Sequence, residues 1–157
     1  MKINYQSAVI FVKDIERSKK FYTELLQQEV EYDFGKNIAV KSGLSLWEIR
    51  DTHIIAEKLK EQTICKSNRF ELYFETDDIQ KLYLEMNETN PDYLHKIHEE
   101  PWGQITMRFF DPDGHLVEIG ETMPIFVRRM AQSNMHPMEI SEKTHIPVEM
   151  VVEMIKE

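Results

Sequence analysis

From Ser7 the chain alternates for six residues, with Ala8, Ile10 and Val12 on one side and Ser7, Val9 and Phe11 on the other. At Asp14 the spacing changes to threes and fours through Ile15, Ser18, Phe21, Tyr22, Leu25 and Leu26. A strand followed by a helix packed on a sheet produces this change of period. Asp14 stands where a carboxylate accepts from first-turn amides, and the helix is expected to end near Gln27. The same pattern returns from Phe70: Leu72 and Phe74 alternate with Glu71, Tyr73 and Glu75, Asp78 is the cap, and Ile79, Leu82, Tyr83 and Met86 form the stripe. The two stretches superimpose with an offset of 64, which puts Ser7 on Glu71 and Asp14 on Asp78.

The repeats also close alike. LSLWEI at 44–49 matches GHLVEI at 114–119 with an offset of 70, placing Glu48 on Glu118. Each repeat leaves room for about three more strands of ~5–6 residues after its helix. Ile105, Met107 and Phe109 alternate with Thr106, Arg108 and Phe110, and Asp111-Pro112-Asp113-Gly114 has the composition of a turn. The expected fold is α+β, with two βαβββ modules at about 3–60 and 61–121 making one domain. A helical appendage over 122–157 follows, with helices over 122–132, from Pro137 and from Pro147. It holds six of the nine methionines, a side chain that adapts to irregular apolar surfaces.

Charge separates these parts. Residues 1–60 carry ten basic and nine acidic side chains, 61–121 five and fourteen, and 122–157 four and five. The second module therefore holds the whole acidic excess behind the net charge of −9. Such a field repels a phosphate backbone, and the helix-turn-helix-like MEISEKTHIPVEMVVEMI lacks the basic residues that DNA contact needs, so nucleic acid is not an expected partner. The lone Cys65 cannot form an intrachain disulfide, and a reducing cytoplasm is the expected location. No stretch nears the roughly 20 apolar residues of a membrane span, and the N-terminus lacks a signal-peptide pattern.

The paired βαβββ pattern, the run VIFVKDIERSKKFY, PWGQ at 101–104 and FFDPDGHLVEIGE at 109–121 resemble the glyoxalase, bleomycin-resistance and extradiol dioxygenase group, the vicinal oxygen chelate superfamily. The resemblance spans about residues 3–121 and implies sheets curled around a cleft, a homodimer and a small-molecule ligand or substrate. It also implies metal positions on the first and last strands of each module, here Ser7, Glu48, Glu71 and Glu118. Catalytic members carry imidazole at the places of Ser7 and Glu71. Without it, an iron dioxygenase is not expected, and Glu48, Glu71 and Glu118 favour Mg²⁺, Mn²⁺ or Ca²⁺ over zinc, nickel or iron.

Two functions follow from the resemblance. One is a lyase- or isomerase-type enzyme on a small oxygenated metabolite, with Glu118 and Glu71 as acid/base groups or metal ligands. The other is a metal-free binding protein of the drug-sequestering type. Ser7, Phe11, Trp47, Tyr73, Trp102 and Arg108 are the candidate ligand contacts. Each has a plainer alternative: Glu71 and Glu75 fit a solvated sheet face, Trp47 fits a core, and Arg108 has many neighbouring glutamates to pair with. His98 is a candidate base from the polar connection DYLHKIHEEPWG, and His115 is expected to face solvent.

Overall fold

A computed structural model describes residues 6–49, 51–52, 71–88 and 90–156. Cys65 and the opening of the second repeat at Phe70 lie outside them. The chain divides into two units, Met1–Ser67 with Asp111–His115, and Asn68–Phe110 with Leu116–Glu157.

The first unit runs β1 (Ala8–Phe11), α1 (Ile15–Lys20), β2 (Val30–Asp33), β3 (Asn37–Val40) and β4 (Leu44–Trp47). Its sheet has the order β1-β4-β3-β2, with β1 parallel to β4 and the other pairs antiparallel. Asp14 caps α1 by accepting from the Arg17 amide at 3.0 Å. The helix loosens into a π-helical turn over Phe21–Leu25, and Gln27 reverses the chain at φ +51°, where the stripe predicts the end. Ile10, Ile38, Val40 and Leu46 from the sheet and Ile15, Tyr22 and Leu26 from the helical run make the core. The opposite sheet face carries Ser7, Val9, Phe11, Ser45 and Trp47.

Asp111–His115 belongs to this unit. Gly114 N–H donates to the Asp111 carbonyl at 3.0 Å, closing the turn expected from Pro112 and Gly114, and Gly114 takes φ +88°. His115, expected in solvent, is instead largely covered and hydrogen-bonded to the Asp111 carboxylate at 2.8 Å.

The second unit repeats the plan with β5 (Leu72–Thr76), α2 (Ile79–Asn87), β6 (Asp92–Glu99), β7 (Ile105–Phe110) and β8 (Leu116–Glu121), in the order β5-β8-β7-β6. The expected α+β fold of two βαβββ modules is therefore present. Asp78 caps α2 through the Lys81 amide at 2.9 Å. Met107, Phe109, Val117 and Ile119 share the apolar sheet face, with Ile79 and Met86 of α2 buried in the same unit. His95 and His98, read as a connection, lie on β6, whose ladder is irregular on both sides of His95.

The tail forms α3 (Met123–Gln132), α4 (Pro137–Thr144) and α5 (Val148–Lys156), the last two starting where Pro137 and Pro147 predict. Phe126, Val127, Met130, Ile140, Ile146 and Val151 make a core of their own. Among the described residues no helix is long and apolar enough to cross a membrane.

Candidate functional site

In the second unit, period-2 alternation puts Glu71, Tyr73, Glu75, Thr106, Arg108, Glu118 and Gly120 on the sheet face away from the apolar one. Register places Tyr73 beside Glu118 on one side and Arg108 beside Glu118 on the other. Arg108 is the centre of this face. Its Nε donates to Glu71 at 2.9 Å, one terminal nitrogen donates to Glu100 at 2.7 Å, and the other donates to Glu118. The nitrogen bound to Glu100 also lies 3.0 Å from His95 Nε2. His95 Nδ1 sits 2.7 Å from the Lys96 carbonyl. A carbonyl only accepts, so Nδ1 is the donor there, and Nε2 is the acceptor for Arg108.

One guanidinium thus meets three carboxylates. Burial raises the Glu118 carboxyl, and a hydrogen bond shared with Glu71 raises it further, to about 7 despite Arg108. Glu71 goes the other way: burial alone would raise it, but hydrogen bonds from Arg108 and Glu118 and the charge of Arg108 hold it below the usual carboxylate range. Glu100 is likewise lowered, because Arg108 and Thr106 outweigh its burial. Glu71 and Glu118 therefore titrate as an interacting pair, with Glu118 the carboxyl that is harder to ionise.

Tyr73 extends the face. Its hydroxyl donates to Glu75 at 2.9 Å and accepts from Gln104 Nε2 at 2.8 Å, and burial pushes the phenol up to about 12. Trp102 donates from its indole nitrogen to Gln104 Oε1 at 3.2 Å. Both rings remain substantially exposed, at 49% and 40%.

The candidate residues of the first unit gather on the face opposite its helix. Ser7 Oγ and Ser45 Oγ are 3.3 Å apart, and Phe11 meets Trp47 edge to face at 6.2 Å between centroids. Glu48 lies elsewhere. Its carboxylate accepts from the Ile15 amide at 2.8 Å and pairs with Lys36, so it supports the start of α1 on the helix side of the sheet. Register explains the difference. Tyr73 pairs with Glu118 as Val9 pairs with Ser45, so Ser45 rather than Glu48 is the counterpart of Glu118. The matching of LSLWEI to GHLVEI is therefore displaced by three residues. By the same ladders, Ala39 is the counterpart of Arg108. The first module has Ser, Ser and Ala where the second has Glu, Glu and Arg.

Sequence reading names Glu71, Tyr73, Arg108 and Glu118, which the structure brings to one face, but it misses Glu100, Gln104 and His95. The bulged β6 conceals the alternation that would have revealed His95. Glu100 and Gln104 bracket a turn, which has no period to read.

Residues 5–124 match the family described as Glyoxalase-like domain, and the chain belongs to that family and to the glyoxalase, bleomycin-resistance and dioxygenase superfamily. It is 28% identical over 118 residues to the uncharacterized protein YraH of Bacillus subtilis (strain 168), covering 70% of this chain and 91% of the relative. A crystal structure of a protein of unknown function from Agrobacterium tumefaciens str. C58 is 28% identical, with a TM-score of 0.65 over 78% of this chain and 97% of that one. Lactoylglutathione lyase from Agrobacterium tumefaciens shares the fold, at 18% identity and a TM-score of 0.55 over 78% of this chain and 96% of that one.

Proposed function

We propose that this chain is a metal-independent small-molecule-binding protein whose second module takes a ligand with an aromatic surface and a positive charge. The observation that carries this reading is Arg108 in contact with Glu71, Glu100 and Glu118. One cation does not neutralise three carboxylates, so the face favours a ligand that brings positive charge and hydrogen-bond donors. Exposed Tyr73 and Trp102 offer rings to an aromatic cation in the same unit.

The donor set does not fit a divalent cation. Arg108 engages both Glu71 and Glu118, and its charge opposes an ion placed between them. The carboxylate of Glu48 is engaged by the Ile15 amide and Lys36. Among the described residues no three His, Cys, Asp or Glu side chains gather as a ligand set.

Fluorescence titration with ethidium, an aromatic cation, against anilinonaphthalene sulfonate, an aromatic anion, tests the reading in chelator-treated protein. At about pH 8, where Glu118 is ionised, ethidium is expected to bind at least about tenfold more tightly, with Glu71→Gln and Glu118→Gln each removing about that factor. Preference for the anion, or stabilisation by Mg²⁺ or Mn²⁺ that those substitutions abolish, overturns it.

A second reading draws on Glu118. A carboxyl near 7 beside an ionised carboxylate suits general acid/base work, as in the expected lyase- or isomerase-type enzyme. It predicts exchange of the carbon-bound protons of dihydroxyacetone in D₂O, rising through about pH 7 and lost in Glu118→Gln, by proton NMR. Exchange no faster than buffer leaves the binding reading alone.

A further inference from the structure

The second module's sheet carries a turn, Pro101–Gln104, that is tied to the tail by side chains rather than by the strand ladder. Glu121, at the end of β8, is 3% exposed and accepts the Arg129 guanidinium bidentately at 2.9 and 2.7 Å. The same guanidinium donates to the Gly103 carbonyl at 2.5 Å, and the Ile105 amide donates to Glu121 at 2.9 Å. Met130, the next residue of α3, lies against Gly103, where a Cβ would come within 2.7 Å of its methyl carbon. Gly103 takes φ +97°, so glycine is needed there twice over.

This anchored turn delivers Gln104. Its amide nitrogen is shared between the Glu121 carbonyl and the Tyr73 hydroxyl, both at 2.8 Å. The carboxamide crosses the strand over Gly120, where a Cβ would lie 2.6 Å from Gln104 Nε2 and 3.2 Å from the Tyr73 oxygen. Gly120 is two residues from Glu118 on the same face. We propose that Arg129 of the tail is a positioning residue for the ligand face: by holding Gly103 and Glu121 it sets Gln104 and Tyr73 beside Glu118. The tail is then part of the site's specificity, although none of its residues needs to touch the ligand. This rests on the reading of that face as the ligand site.

The test uses the full chain labelled with 5-fluorotryptophan, the Trp102 resonance being assigned by Trp102→Phe. Arg129→Ala is expected to keep its circular dichroism, to shift or broaden the Trp102 signal, and to weaken ethidium about tenfold. Arg128→Ala, which loses a bond to the Met154 carbonyl inside the tail, is the control and should change neither readout. Arg129→Lys keeps the charge near Glu121 and gives up the bidentate fork. If Arg129→Ala fails to fold, Arg129→Lys is the variant to read, and it should still disturb Trp102. A lower melting temperature with an unchanged Trp102 signal and unchanged ethidium affinity makes Arg129 purely structural and overturns the proposal. If ethidium fails to bind the unaltered protein, the functional reading falls, and the Trp102 signal alone decides the positioning role.

Discussion

Asp111 shows how a residue chosen for turn chemistry becomes a buried acceptor. It is 5% exposed, and its carboxylate takes the Tyr22 hydroxyl at 2.9 Å, His115 Nδ1 at 2.8 Å, and the amides of Asp113 and His115 at 2.9 and 2.8 Å. Burial would raise this carboxyl, but His115, the amides and Tyr22 together hold it below its ordinary value. The Pro112 and Gly114 signature reveals the turn. Nothing local reveals the partner, because Tyr22 lies 89 residues away and reads as one more member of a helical stripe. Asp111→Asn replaces an acceptor-only group with one that presents an amide to the same donors, and should cost about 2–3 kcal/mol in urea unfolding. The sign with pH follows from the lowered folded value. The stabilisation is present above the unfolded carboxyl's range and is lost as pH falls through the folded one. The variant should therefore lack the share of the acid-side loss below about pH 4 that Asp111 contributes, while the lowered Glu71 and Glu100 keep theirs.

At the scale of elements, legibility followed periodicity. β1, β5 and β7 alternate along their sequence, and that alternation is readable without any knowledge of partners, whereas β8, buried on both faces, is legible through the turn before it and its closing motif. The caps were readable too, since Asp14 and Asp78 precede helical stripes and accept the amides three residues on. β6 was not. Irregular pairing on either side of His95 interrupts the period, so an eight-residue strand read as a polar connection. Glu48 illustrates a different failure. A string match aligns letters, whereas equivalence in a sheet is set by which residues pair across a ladder. A slip of three residues also reverses the face. That reversal moved the expected ligand from the open face to the helix side, where it meets the Ile15 amide.

Over the whole molecule, the uneven charge becomes a titration property. The second module's acidic excess includes Glu71, Glu100 and Glu118 around Arg108, with Glu75 bound to the neighbouring Tyr73 hydroxyl. Carboxylates converging there need a cation or a proton, and Arg108 with a raised Glu118 supplies some of each. Because the Glu118 carboxyl is raised from 4.5 to about 7, the folded protein holds a proton that the unfolded chain releases. The stability this contributes is fully present below about 4.5 and is lost as pH rises through about 7, opposite in sign to that of Asp111. The melting temperature should therefore peak on the acid side of neutrality and decline between pH 5 and 8 in steps that salt softens. Glu118→Gln keeps a neutral side chain at every pH and should flatten that decline, leaving the protein at pH 8 as stable as the parent or more so. Ethidium affinity should move the opposite way in the parent, strengthening as Glu118 ionises near pH 7 and staying constant in Glu118→Gln. A decline in melting temperature that persists unchanged in the variant would assign the titration to another group.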